Sequence, residues 1–172
     1  MRSPNRRSLG DMRVWSRRVS GMANGDERQE LEELARELFG GTHIPPAYVR
    51  ALKCSTDGAS ARLGIVINSN ERRAYWLDGR SLGILSCTGI TDDDARISGE
   101  ILQLDHLVSV KLNVAVRYDR FNNVSDSGRV LAIEDFESGH FTFDASPQHF
   151  NSEKRDEIER FIDQVLAALA GR

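Results

Sequence analysis

Apolar residues along this chain follow two rhythms, and each predicts a different kind of element. Leu31, Leu34, Ala35, Leu38 and Phe39 recur at the three-and-four spacing of one helical face, which predicts a helix over 27–39. Asp26 stands where an N-cap is wanted, Gln29 follows at capping-box distance, and Glu32 and Arg36 form an i, i+4 pair on the wet side. Gly40-Gly41 offers a left-handed stop, and Pro45-Pro46 forbids continuation. The helical spacing returns in Ile158, Phe161, Ile162, Val165, Leu166 and Leu169, which predicts a second helix over 153–169. Asn151 or Ser152 caps it, Gly171 ends it, and Arg155–Glu159 and Asp156–Arg160 are opposite-sign pairs along its polar side.

Between the helices the period becomes two. Val108, Val110, Leu112, Val114, Val116 and Tyr118 alternate with Ser109, Lys111, Asn113, Ala115, Arg117 and Asp119, predicting a strand with one face on the core and one in water. Segments 47–54, 61–68, 72–77, 81–88, 129–135 and 140–144 read as further strands, punctuated by turn residues such as Asp57-Gly58 and Ser69-Asn70. Asp78-Gly79 favours a type I′ hairpin. With no helical pattern between them, these strands should pair antiparallel. The expected fold is α+β: one twisted antiparallel sheet of about seven strands, an N-terminal helix and a C-terminal amphipathic helix, in a single domain over 26–172. The C-terminal helix should cover the valine-rich face of 108–118.

Charge and composition narrow the picture. A chain of 172 residues is long enough for one self-supporting core. Residues 1–25 carry six arginines against Asp11, so the net charge of −3 leaves −8 on the remainder. A body that acidic disfavours nucleic acid and anionic lipid, which need Lys and Arg on the binding face. The arginine-rich start reads as a disordered tail, with Met22 as an alternative first residue. A targeting or anionic-surface role for Leu9, Met12, Trp15 and Val19 is the competing reading. Cys54 and Cys87 form no C-x-x-C pair and read as buried reduced thiols. No apolar run reaches the ~18–20 residues that cross a bilayer, and no secretory leader is visible, which points to the cytoplasm.

Candidate chemistry is thin. Gly79-Arg80-Ser81-Leu82-Gly83 matches G-x-S-x-G, but that nucleophile needs a strand, a strained turn and a helix, and a strand pattern follows here. His43, His106, His140 and His149 fall into no metal spacing, although His140 and His149 could meet across the turn into the last helix. Asp92-Asp93-Asp94 fails the EF-hand pattern, and Asn123-Val124-Ser125 is a sequon without a visible secretory route. There is no G-x-G-x-x-G and no Walker A sequence. The expectation is therefore no catalytic residue, no cofactor and no metal.

Glu100-Ile101-Leu102-Gln103-Leu104-Asp105-His106-Leu107-Val108-Ser109-Val110 resembles a strand entry of the bacterial pleckstrin-homology-like domains. Gly139-His140-Phe141-Thr142-Phe143 followed by the helix at 153–169 is similar to that family's last strand and capping helix. The resemblance covers roughly residues 47–170 and implies a binding scaffold, not an enzyme. The family's basic lipid-binding loop does not carry over, because Ser55–Ser60 holds no Lys or Arg. The element order is also similar to the small dimeric α/β secretion chaperones. The favoured function is a non-enzymatic, protein-binding interaction module; the alternative is a small enzyme whose site is scattered along the chain. Leu31, Leu34, Leu38 and Phe39 are the candidate interface. They either close the open end of the sheet or meet a protein partner or a second subunit.

Overall fold

The computed structural model describes residues 25–171 except 42, 90, 92, 137 and 138, and of residues 25–28 the backbone alone. The arginine-rich segment lies outside the described residues. The chain is α+β, with three helices and seven strands among the described residues: α1 (Gly25–Phe39), α2 (Pro46–Thr56), β1 (Ala61–Val66), β2 (Glu71–Asp78), β3 (Ser81–Thr88), β4 (Arg96–Gln103), β5 (Ser109–Tyr118), β6 (Val124–Asp135), β7 (Gly139–Asp144) and α3 (Ser152–Ala170). A 3-10 turn at Leu104–His106 links β4 to β5.

The strand expected over 47–54 is a helix. Pro46 ends any continuation of α1, yet at the first helical position its fixed φ and missing N–H favour a new start. Tyr48, Leu52 and Thr56 then fall four apart and are buried together. The missing strand is made up by β4, whose mostly exposed face carries no clear alternation. α1 begins at Gly25, so Asp26 lies inside the helix rather than at its cap, and its side chain is outside the described residues. Gly40 (φ 59°) and Gly41 (φ 73°) end α1 in the left-handed region, as their sequence predicts. In the β2–β3 hairpin Asp78 pairs with Ser81, so the two loop residues are Gly79 and Arg80. Gly79 (φ 56°) takes the first loop position, where a type II′ turn calls for glycine, and not the I′ arrangement expected.

The single expected sheet is two. β1-β2-β3-β4 form one antiparallel meander and β5-β6-β7 another. The four-stranded sheet is covered on both faces. On one side Ala74, Trp76, Leu85 and Cys87 pack against Ala35, Leu38 and Phe39 of α1 and Tyr48 and Leu52 of α2. On the other, Leu63, Tyr75, Leu82 and Ile84 meet Leu131, Ile133 and Phe143 of the second sheet and Ile158, Phe161 and Ile162 of α3. Tyr75, Phe143 and Phe161 form a chain of rings with centroids 5.0 and 5.2 Å apart, the first pair edge-on and the second tilted. Arg72 ties the α1 layer to the sheet: its Nε donates to the Leu38 carbonyl at 2.9 Å and its guanidinium lies 4.9 Å over the Phe39 ring. A cation there favours the negative end of α1.

α3 follows its sequence closely at its ends. Asn151 Oδ1 accepts from the Lys154 N–H at 2.9 Å, and Gly171 N donates to Ala167 O at 3.1 Å. Arg155 and Glu159, however, reach across to the second sheet and not to each other. Arg155 forks onto Asp126 at 2.6 and 2.9 Å, while Arg129 of β6 bonds Glu159 and, at 2.6 Å, Asp163. The intrahelical pairs expected of Arg155 and Glu159 are replaced, because bidentate carboxylate geometry is available across the layer. The Arg155 bond holds the Asp126 carboxyl below its usual range, and the Arg129 bond does the same to Asp163.

Candidate functional site

β5 is the edge strand of the second sheet and pairs only with β6 among the described residues. Its valine-rich residues point to the expected, inward side: Val110 stands opposite Ile133 and Leu112 opposite Leu131. The cover expected there is missing. Leu131 and Ile133 are fully buried, yet one strand over, Leu112 is 47% and Val114 65% exposed. α3 packs on β1, β6 and β7, and the inward face of β5 overhangs it. Neighbouring strands are ~4.8 Å apart, so this step from core to solvent takes place across one strand spacing. The expectation that α3 covers this face is thus corrected. The outward face carries exposed Lys111, Asn113 and Arg117 with half-buried Ala115 between them.

The turn after β5 extends the surface and is held firmly. The Asp119 carboxylate accepts from the Phe121 N–H at 2.8 Å and the Asn123 N–H at 2.9 Å, and the Asn123 bond leads in holding its pKa down. Asn122 takes φ 65°, a conformation Asn tolerates. At the tip Phe121 is 69% exposed, with the Arg120 guanidinium 4.7 Å from its ring centre. Val108, Tyr118 and Val124 are exposed as well. Behind the hairpin, a Cβ on Gly128 would stand 1.9 Å from the Ala145 carbonyl oxygen, so only glycine lets β6 press against the chain leaving β7. Arg117 donates to Pro147 O and the Arg155–Asp126 fork braces the same side. The result is a rigid projection with a free strand edge of about 33 Å, at ~3.3 Å per residue, and an apolar ledge.

A second concavity, of about 770 Å³, runs between α1, β1 and α3. Glu30, Glu33 and Glu37 of α1 line one wall and Glu157 of α3 the other. Its cations are engaged by the chain itself: Arg62 bonds Glu30 at 3.2 Å and Thr56 O at 2.9 Å, and Lys154 bridges Glu37 and Glu157. These bonds tie α1 to β1 and α1 to α3 and engage Arg62 and Lys154 within the chain.

The candidate interface from the sequence falls elsewhere. Leu38 and Phe39 are buried, and Leu31 and Leu34 half-buried, against the outer face of the four-stranded sheet. That stripe is not bare; the chain covers it itself. Ser81 opens β3 and donates to Gln103 Oε1 at 3.2 Å, with a strand and no helix after it. The second glycine of the G-x-S-x-G match has a packing reason, since a Cβ on Gly83 would lie 2.0 Å from the Trp76 ring. His140 meets Thr142 at 3.1 Å, and His149 reaches back across the turn to Asp144 at the end of β7, at 3.5 Å. Asp94 accepts from Thr91 N and Oγ1 at 2.6 and 2.7 Å, a local loop lock, while Asp92 lies outside the described residues. No three His, Cys, Asp or Glu side chains converge on a metal position among the described residues. Cys87 is buried, which pushes its thiol pKa up, but Cys54 is exposed, contrary to expectation, on the outer side of α2.

Sequence reasoning missed the β5 surface because alternation reports which side chains share a face and not whether anything covers it. No helix among the described residues is long and apolar enough to cross a membrane. Compared with known protein families, curated proteins and solved structures, the chain finds no match.

Proposed function

We propose that the chain is a non-enzymatic interaction module, built on a pleckstrin-homology-like scaffold, that binds extended protein segments along β5. The single observation that carries this reading is the exposed alternation of Val108, Val110, Leu112 and Val114 at and just before a strand whose outer edge has no partner among the described residues. An edge of that length with apolar side chains is an open template for strand addition, and apolar patches of a few hundred Å² on a monomer are commonly interaction sites. The four-plus-three antiparallel strands closed by α3 support the scaffold assignment. An exposed and a buried free thiol fit a reducing compartment such as the cytoplasm.

A displayed random-peptide library selected on the purified protein tests this. The selected peptides should alternate apolar residues, and their binding should slow amide hydrogen exchange in β5. Val114→Lys should abolish that binding while the circular dichroism melt stays unchanged. Peptides that protect the α1–α3 groove instead, or that bind Val114→Lys equally well, would overturn the reading.

A further inference from the structure

The docking surface also suits a second copy of this chain. We infer that two copies pair antiparallel through β5, about a two-fold axis through Asn113, to make one continuous six-stranded sheet; this rests on β5 being a docking edge.

Residues directly opposite in an antiparallel pair share a face, so a two-fold normal to the sheet must set apolar positions of one copy against apolar positions of the other. Three central registers do so, and charge separates them. Centring on Val114 puts Lys111 directly opposite Arg117 of the other copy, and like charges directly opposite are destabilising. Centring on Leu112 brings Asp119 of the turn after β5 towards Asp105 of the 3-10 turn, two acids just beyond the paired strands. Centring on Asn113 avoids both. Leu112 then faces Val114, Val110 faces Val116, Lys111 faces the small Ala115, Ser109 faces Arg117, and Asn113 faces itself, where two amides can bond each other. The same register brings the Arg120–Phe121 tip of one copy towards the half-exposed Asp105 of the other, where Arg120 would add a second cation to the one Arg80 already supplies. The paired stretch, 109–117, contains no proline and no bulge, since the register shift against β6 comes only between Arg117 and Tyr118. Nine paired residues supply roughly the ten hydrogen bonds of a typical interface. The two inward ledges would join into one apolar strip shared by both copies.

The test is a cross-link fixed by symmetry, on the full chain with Cys54→Ser to remove the exposed thiol. Asn113→Cys should oxidise to a disulfide-linked dimer, because the two positions meet on the axis. Ser109→Cys should not, because its copies lie about 27 Å apart at ~3.4 Å per residue. In sedimentation the unmodified chain should run as a dimer, and Leu112→Lys as a monomer with the same circular dichroism spectrum. A monomer at about 100 μM, or cross-linking of Ser109→Cys in preference to Asn113→Cys, would overturn the inference. If the chain is monomeric and selected peptides still protect β5, the second copy fails and the docking reading stands. If it dimerises regardless of Leu112→Lys and peptides avoid β5, both fail.

Discussion

The two sheets are built from similar strands and live in different surroundings. In the four-stranded sheet β2 and β3 are buried on both faces, so Arg72 and Ala74 through Leu77 are all inside, as are Leu82 through Leu85. In the three-stranded sheet β5 has the cleanest alternation and, of the described strands, is the one with no buried position. A continuous apolar run therefore marks a strand between two layers, and perfect alternation marks a strand with at least one free face. Here the free faces are two. What separates the sheets is the reach of the helices. α1 and α2 span the outer face of the first sheet, while α3, about 28 Å long at ~1.5 Å per residue, lies over β1, β6 and β7 and stops short of β5.

The sharpest way to break the comparison is to overfill the doubly covered sheet. Gly83→Val places a side chain into the Trp76 ring between layers, and we expect a loss of about 3 kcal/mol or more, seen as failure to fold or a collapsed urea midpoint. An unaltered melt would mean that the α1–α2 layer does not press on β3. A matched pair of leucines comes next. Leu82→Ala, in a fully buried position, should cost about 3 kcal/mol, whereas Leu112→Ala at low protein concentration should cost within about 0.5 kcal/mol. Urea midpoints at equal slope read the difference, and equal losses would put β5 in the core.

The smallest effect is electrostatic and belongs to the second sheet. Asp126 and Asp163 have folded pKa values below the unfolded ones, so their contribution is complete above the ordinary aspartate value of ~3.9 and is lost as pH falls through the lower folded values. Acid titration of the melting temperature should show a decline beginning near pH ~4 that Asp126→Asn with Asp163→Asn flattens. A decline identical in the double variant would show that α3 is held to the sheet by packing alone.

Much of the local structure was legible because it is decided within a few residues. The stop at Gly40-Gly41, the Asn151 cap, the stripe from Ile158 to Val165 and the inward direction of Val110 and Leu112 all follow from spacing and backbone freedom. Pro46 is ambiguous in sequence, since the same fixed φ that ends one helix begins another, and the choice rests on whether Tyr48 and Leu52 find a sheet to pack on. The two-sheet division, the inward use of Leu38 and Phe39 and the bare ledge of β5 were decided only by tertiary structure. Periodicity specifies which side chains share a face. Whether that face is covered depends on where other elements come to rest and how far they extend, which is a property of the packed layers and not of any one segment.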